Sequence, residues 1–183
     1  MKKKKGNIMS YAGTFGALLI LFVILALASP NFLKFDNMMS ILKQTTFNAL
    51  LSTGMLLCLI TAGIDLSVGA NATFAACMCG FLVTRGVTNS FVLIVVALLT
   101  GTLVGMVNGL LLTRLHLPHP FVSTLGMKNV LWGAALLVTA SKMISFSGIN
   151  GLLWLGSSTM KGFPVSFVIV ILMVAVATIA QAL

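Results

Sequence analysis

The sequence predicts an all-α fold, a polytopic bundle of about six transmembrane helices. Hydrophobic residues make up 59% of the 183 residues and charged residues only 7%, and a soluble globule of this length cannot bury so much apolar surface. The mean hydropathy of +1.14 agrees with this conclusion. The formal charge of +9 comes from Lys and Arg in the N-terminal tail and at breaks between apolar runs. We interpret these charges as the ones that orient the helices in the membrane. This interpretation excludes nucleic acid as a partner and predicts that the chain contacts the lipid bilayer.

The N-terminus is predicted to be a basic cytoplasmic tail, residues 1–10, followed by an uncleaved first span at about 11–29. Lys2–Lys5, an apolar run and Ala26-Leu27-Ala28 also fit a secretory signal with a small-residue cleavage site. The apolar run of about 19 residues is long enough to cross a bilayer and exceeds the usual signal core of about 7–15 residues. We therefore expect the tail to be retained in the cytoplasm.

The remaining spans follow from the length of helix that crosses a membrane. From Lys43 to Arg85 the chain offers roughly 60 Å of helix at about 1.5 Å per residue, which is two crossings of a ~30 Å hydrocarbon core. Asp65 falls at the turn between them, on the cytoplasmic side. The further spans are predicted at about 44–62, 69–84, 90–113, 121–140 and 163–183, with a Gly/Ser-rich external loop from Ser141 to Gly162.

One of the chain's two acidic residues stands between apolar runs, in Gly63-Ile64-Asp65-Leu66-Ser67-Val68-Gly69-Ala70. A charge there is costly, so a functional role is expected. We predict that Gly63, Asp65, Ser67 and Gly69 form a gate or hinge loop, the glycines letting the backbone leave and re-enter a helix. Helix capping by Asp65 or Ser67 is the alternative, and it is compatible with a hinge. No second titratable group accompanies Asp65, so no catalytic residue is predicted.

Two spans carry small residues at four-residue spacing, which places each set on one helix face. Such stripes let helices approach closely in lipid, and we predict a helix-packing role for them rather than a chemical one. The stripes are Ala72, Ala76 and Gly80 in the third span, and Gly101, Gly105 and Gly109 in the fourth.

No metal site is predicted. Cys58, Cys77 and Cys79 lie in apolar stretches without the spacing of metal ligands and are interpreted as small core residues. His116 and His119 flank Pro118, where an interfacial loop is favoured over a metal site.

The octet around Asp65 resembles the signature of permease subunits of bacterial ABC importers for ribose and similar monosaccharides. Asn31-Phe32-Leu33 with Asn37, Ile41-Leu42-Lys43-Gln44 and Pro120-Phe121-Val122-Ser123-Thr124-Leu125-Gly126 are similar to segments of the same family, so the resemblance extends from about Pro30 to Pro164. It implies a multi-pass subunit of the bacterial inner membrane that pairs with a second permease copy. It also implies an extracytoplasmic sugar-binding protein and a cytoplasmic ABC ATPase as partners. The chain has no Gly-x-x-x-x-Gly-Lys-Ser/Thr loop, so ATP is expected to be bound by the ATPase, with no cofactor in this chain.

The chain departs from the family at two points. Trp132 precedes Gly133 where the family usually has Arg, and Lys128, one turn earlier, is a candidate replacement charge on the same helix face. A lysine at this depth costs about 2.5–3.5 kcal/mol, so Lys128 either snorkels to an interface or faces a polar cavity. The apolar run that reaches Leu183 stops where such permeases continue, so we expect an N-terminal portion, incomplete relative to the full permease fold.

The function expected from this resemblance is a non-enzymatic permease subunit that forms a sugar translocation path by alternating access. The path is predicted to be lined by Asn48, Thr61, Asn71 and Asn108, although interhelical hydrogen bonding is the alternative role for each of them. Two other functions stay open: a permease for branched-chain amino acids or nucleosides, and a truncated membrane scaffold that transports nothing.

Overall fold

The computed structural model describes residues 8–60, 63–114, 119–160 and 163–182. The regular secondary structure of these residues is helical, as predicted, apart from one minimal antiparallel pair of strands in which Thr159 faces Pro164 and Met160 faces Phe163. The elements in chain order are α1 (Ile8–Ala28), α2 (Phe35–Ile60), α3 (Val68–Thr84), α4 (Ser90–Arg114), α5 (Pro120–Thr139), α6 (Asn150–Ser157), β1 (Thr159–Met160), β2 (Phe163–Pro164) and α7 (Val165–Ala182).

Two helices in the described part of the chain, α4 and α5, are long and apolar enough to cross a membrane by themselves. Three shorter apolar stretches, Ala12–Ala28, Val68–Thr84 and Val165–Thr178, accompany them. The number and limits of the membrane crossings therefore stay a prediction, and residues 1–7 of the predicted basic tail lie outside the described residues.

Helices α2 and α6 differ most from the sequence-based expectation. Helix α2 begins at Phe35 rather than near residue 44, because the polar turns around Asp36 and Lys43 are still helical. Asp36 lies in the first turn, where a carboxylate is favoured by the positive end of the helix dipole. Helix α6 lies inside the segment from Ser141 to Gly162, which was predicted to be a loop. Its length of only eight residues, with two glycines, left too little apolar periodicity to indicate a helix.

The chain divides into two compact units, Met1–Leu42 and Lys43–Leu183. In the first unit, the rings of Phe22 and Phe32 meet edge to face with centroids 5.3 Å apart, and Asn37 Nδ2 donates a 2.7 Å hydrogen bond to the carbonyl of Phe32. The described apolar side chains of α1 are largely exposed.

In the second unit α3 packs against both α4 and α5. Ala70, Val104 and Leu131, one from each helix, form a buried cluster. A second cluster joins Cys79, Leu93 and Ile149 near the opposite end of α3. There the Cys79 thiol donates to the Leu93 carbonyl oxygen over 3.2 Å. The first cluster therefore fixes α3 against its neighbours beside the turn that precedes it.

The predicted small-residue stripes have different surroundings. A Cβ built on Gly80 would meet the side chain of Ile144, from the segment after α5, at 3.2 Å. Among the described residues, no heavy atom outside the helix backbone would lie within 4 Å of a Cβ on Gly101, Gly105 or Gly109. Ala72 is half-buried and Ala76 is exposed. Close helix packing along the α4 stripe therefore stays a prediction.

One glycine outside the predicted stripes lies in a close contact between α4 and α6. A Cβ built on Gly151 would come within 2.6 Å of the Ser90 Cβ atom. We expect Gly151→Ala to destabilise the fold by about 1–3 kcal/mol, because the extra methyl group overpacks this contact. Unfolding in a titration with sodium dodecyl sulfate, followed by tryptophan fluorescence, measures the effect.

The matched control is Gly156→Ala in the same helix. A Cβ there meets none of the described atoms within 4 Å, so the higher helix propensity of alanine should leave stability unchanged or raise it by up to about 1 kcal/mol. Equal unfolding midpoints for the two variants would contradict a tight α4–α6 contact.

Candidate functional site

The candidate site lies at the turn before α3. The N-terminus of α3, the C-terminal part of α4 and the N-terminus of α5 meet here, because α4 runs antiparallel to both of its partners. Helix α2 ends at Ile60, and the described chain resumes at Gly63, whose amide donates to the Cys58 carbonyl over 3.1 Å. Ser67 occupies the N-cap position of α3.

Asp65 and Ser67 form a compact turn at the entrance to α3. The Ser67 amide and the Ser67 hydroxyl both donate to Asp65 Oδ1, over 2.7 Å and 2.6 Å. Ser67 is only 1% exposed, and its side chain makes no capping bond to the helix. The carboxylate thus accepts both Ser67 donors at the positive end of the α3 dipole.

Asn108 connects this turn to α4. Its Nδ2 atom donates to Ser67 Oγ over 2.8 Å, and the residue is 5% exposed. The Ser67 hydroxyl proton is already directed to Asp65, so Ser67 Oγ must accept here, and this fixes the orientation of the Asn108 amide. The result is a directional chain of hydrogen bonds from Asn108 through Ser67 to Asp65.

Thr124 connects the same turn to α5. Its hydroxyl lies 3.2 Å from the Ile64 carbonyl oxygen and 2.9 Å from that of Pro120, one turn earlier in α5. Thr124 is 2% exposed, so its hydroxyl needs these acceptors. The turn is therefore held by one side chain from each of the two neighbouring helices.

A cavity of about 240 Å³ adjoins this network. Asp65, Asn108 and Thr124 are the polar residues of its lining. The complete lining is Cys58, Gly63, Ile64, Asp65, Gly105, Asn108, Gly109, Leu112, Pro120 and Thr124.

The structure brings together some of the predicted path residues and separates others. Asn108 lies in the site, whereas Asn71 donates to the Gly101 carbonyl over 3.1 Å and joins α3 to α4 about one turn further along. Asn48 is exposed on α2, and Thr61 lies outside the described residues. For Asn71 and Asn108 the geometry agrees with the alternative role, interhelical hydrogen bonding.

The predicted loop glycines do not adopt left-handed backbone angles. Among the described residues, positive φ values at glycine occur at Gly86 and Gly148. Gly63 lines the cavity, and Gly69 lies within the first turn of α3. A flexing role for these two glycines stays a prediction.

Thr124 and Cys58 belong to the site but were not predicted from the sequence. A signal for Thr124 was present, because the residue lies in the Pro-Phe-Val-Ser-Thr-Leu-Gly element that marked the family resemblance. No sequence signal identified Cys58, which resembles any other small residue in an apolar run.

Of the other charged and aromatic residues singled out in the sequence, those that the structure describes do not line this cavity. Lys128 is half-buried on α5, and Trp132 lines a separate cavity of about 220 Å³ between α3 and α5, together with Cys77. His119 is exposed, while His116 lies outside the described residues. Within the described parts of the chain, no three His, Cys, Asp or Glu residues are grouped to hold a metal ion.

Comparison with known proteins gives one family and several relatives. Residues 37–182 match the family described as branched-chain amino acid transport system / permease component. The ribose import permease protein RbsC of Haemophilus influenzae is 32% identical over 175 residues, covering 94% of this chain and 54% of the relative. RbsC of Bacillus subtilis is 32% identical over 167 residues, covering 91% and 51%.

A relative named for another sugar is also similar. The galactofuranose transporter permease protein YtfT of Escherichia coli is 34% identical over 164 residues, covering 85% of this chain and 47% of the relative. The chain thus spans about half the length of the curated relatives it matches. No solved structure matches it.

Proposed function

The chain belongs to the branched-chain amino acid transport system / permease component family, and from this membership we propose that it forms part of the translocation path of an ATP-driven importer for a ribose-like monosaccharide. The observation that carries the choice of cargo is the similarity to permeases named for ribose and galactofuranose, at 32% to 34% identity over most of this chain. The motif Gly63-Ile64-Asp65-Leu66-Ser67-Val68-Gly69, which marked the resemblance to sugar permeases, forms the turn that the site is built around.

The Asp65 carboxylate disfavours an anionic cargo at the N-terminus of α3. A carboxylate cargo would need a cation or a helix N-terminus. At α3 the N-terminal position is already taken by Asp65, which accepts the Ser67 amide at 2.7 Å. The charge of Asp65 would repel a second carboxylate, whereas sugar hydroxyls can donate to it.

Several properties of the complete importer follow as proposals. The chain would cross the bacterial inner membrane several times with its N-terminus in the cytoplasm, and it would have no enzymatic activity of its own. A cytoplasmic ABC ATPase would bind ATP, an extracytoplasmic binding protein would deliver the sugar, and a second permease copy would complete the path.

The hydrogen bonds around Asp65 supply a way to couple this turn to movement of the bundle. Asn108 on α4 and Thr124 on α5 both bond to the turn, over 2.8 Å and 3.2 Å. Any tilt of α3 against these helices must either break the two bonds or carry both neighbours along. We propose that these two hydrogen bonds break and re-form during the alternating access of the importer, with residues 63–69 as the gate loop.

Sugar uptake tests the proposal directly. The chain is coexpressed with the ATPase and binding protein of its source and with the part of the Haemophilus influenzae ribose permease that it does not cover. The host is a bacterial strain without its own ribose uptake. We expect uptake of labelled ribose that is lost when the ATPase carries a substitution in its phosphate-binding loop.

Copurification separates this function from a scaffold. A permease subunit should copurify with the ATPase once the uncovered part of the Haemophilus influenzae relative is supplied. Expression in the membrane without ribose uptake and without ATPase copurification would contradict the proposed function. Uptake of leucine in place of ribose would favour the amino-acid alternative.

A further inference from the structure

We propose that a groove between α2, α6 and α7 binds an anionic phospholipid of the surrounding membrane, with the Lys43 ammonium group at the lipid headgroup. The groove has a volume of about 380 Å³ and lies within the second unit. None of its lining residues also lines the cavity at the Asp65 turn. The inference goes beyond the proposed function, because it requires only that these helices lie in a membrane and does not depend on the cargo.

One face of each of the three helices contributes to the groove. The lining residues of α2 and of α7 recur at three- and four-residue spacing, which places each set on one side of its helix. Six of the ten lining side chains are large and apolar, and such side chains hold an acyl chain by dispersion contacts. The lining residues are Lys43, Thr46, Phe47 and Leu50 of α2, Leu152, Leu155 and Gly156 of α6, and Ser166, Ile169 and Val170 of α7.

The groove has a polar end and an apolar interior. At the polar end, Lys43 Nζ donates over 2.7 Å to the carbonyl of Ser157, the last residue of α6. The next carbonyl, that of Ser158, accepts from the amide of Val165 over 3.0 Å, so the start of α7 lies at the same end. From there α2 and α7 both run on to their apolar lining residues. A ligand with a polar group at one end and a hydrocarbon chain at the other fits this order.

Lys43 gives the polar end a positive charge that the groove does not neutralise. The bond to Ser157 uses one of the three ammonium protons, and no carboxylate is among the lining residues. Bonding to the C-terminal end of α6 is a structural role of Lys43, and it leaves two donors for an anion. Charge-assisted hydrogen bonds from an ammonium group suit phosphate oxygens, so the polar end favours an anionic headgroup over a neutral one.

The position of Lys43 in the sequence also suits a headgroup. The predicted span that carries the groove face of α2 begins at residue 44, directly after Lys43, and the segment before it is polar. Basic pockets between membrane helices bind anionic headgroups at this level. A free fatty acid has the same two chemical features, but phospholipids form the bilayer itself and are present in large excess. We therefore assign the groove to a phospholipid.

Photocrosslinking tests the site in vesicles made of equal parts of phosphatidylcholine and phosphatidylglycerol that contain the whole chain. Either lipid in turn carries a diazirine group in its acyl chain, light activates the group, and mass spectrometry locates the labelled residues. We expect phosphatidylglycerol to label the groove several-fold more than phosphatidylcholine does. Leu19 of α1, which is 54% exposed, should be labelled equally by the two lipids.

Two lysines form a matched pair for the charge. Lys43→Gln removes the charge but keeps a donor, and it should lower labelling of the groove by phosphatidylglycerol about fivefold, as expected for the loss of one cation at a membrane surface. Lys142→Gln makes the same change in net charge at an exposed residue that lines a different cavity, and it should leave this labelling unchanged. Lys43→Arg should retain it. If Lys43→Gln does not insert, high salt should reduce the preference of the unmodified chain for phosphatidylglycerol by screening the charge.

Gly156 allows the apolar part of the groove to be tested separately. A Cβ built there meets none of the described atoms within 4 Å, so Gly156→Ala should keep the labelling of the groove. The larger side chain of Gly156→Leu should occupy the space of the acyl chain and lower the labelling several-fold.

Each remaining outcome would overturn the proposal. Equal labelling of the groove by both lipids, or equal losses in Lys43→Gln and Lys142→Gln, would remove the role of the charge. Competition by oleate but not by unlabelled phosphatidylglycerol would assign the groove to a fatty acid. Labelling of Leu19 without labelling of the groove would show that lipid does not enter it. Ribose uptake is measured separately, so none of these outcomes decides the proposed function.

Discussion

Asp65→Ala is expected to destabilise the bundle by about 2–5 kcal/mol, because two donors of Ser67 lose their acceptor at once and each orphaned buried donor costs about 1–3 kcal/mol. Both the amide and the hydroxyl of Ser67 donate hydrogen bonds to Asp65 Oδ1, and Ser67 is 1% exposed. No other carboxylate lies nearby in the sequence, since Asp36 is the chain's second acidic residue. We therefore also expect ribose uptake to be lost, beyond the reduction in the amount of folded protein.

Asp65→Asn separates the hydrogen bonds from the charge. Asparagine still presents an oxygen at the position of Oδ1, so both Ser67 donors keep an acceptor. A neutral acceptor is weaker than a carboxylate, which gives an expected loss of about 1 kcal/mol. The midpoint of unfolding in sodium dodecyl sulfate and the uptake rate per folded protein should be measured for both variants.

Each result has a defined meaning for the loop. If Asp65→Ala unfolds at the same denaturant concentration as the unmodified chain, the turn does not hold the bundle together. If Asp65→Asn folds normally but transports nothing, the charge itself is needed for the cycle. If it transports normally, the carboxylate serves as a structural acceptor and its charge has no part in gating.

The Asp65 turn also shows how far sequence reasoning reaches. The high cost of a charge between apolar runs was enough to single out Asp65, and Ser67 was named beside it as a possible helix cap. The network they belong to could not be predicted, because Asn108 lies 41 residues from Ser67, and Thr124 lies 60 residues from Ile64. Such pairs depend on the packing of α3, which runs antiparallel to α4 and parallel to α5, and hydropathy does not encode this packing.

The helices were predictable to the extent that they are apolar. Helices α3, α4 and α5 begin and end within one residue of the predicted spans. Hydropathy failed at α2, where polar turns continue the helix, and at α6, which is too short to show a period. The glycine stripe on α4 shows a further limit. The four-residue spacing identifies one face of the helix, but it does not show what that face contacts. Here Gly105 and Gly109 line the cavity.

Leu93→Ala is expected to lower the free energy of unfolding by about 2–3 kcal/mol, and this is the second large effect that we expect. Leu93 is fully buried and packs with Cys79 and Ile149, so truncation leaves a cavity among atoms that cannot all close it. The loss of stability should lie at the lower end of the range found for buried Leu→Ala substitutions. The reason is that a leucine that leaves a helix interface in lipid still finds apolar surroundings. Leu98→Ala, on the same helix at a position 66% exposed, should change stability by less than about 0.5 kcal/mol.

Comparing Leu93→Ala with Asp65→Ala separates stability from gating. Leu93 lies near the start of α4, and the Asp65 turn contacts the same helix near its end, at Asn108. A stability loss at Leu93 should lower the amount of folded protein without changing uptake per folded molecule, whereas Asp65→Ala should reduce both. Equal losses of uptake per folded molecule would mean that any weakening of the α3–α4–α5 packing stops the cycle. The coupling would then belong to the bundle as a whole, and the loop at residues 63–69 would no longer account for the gate.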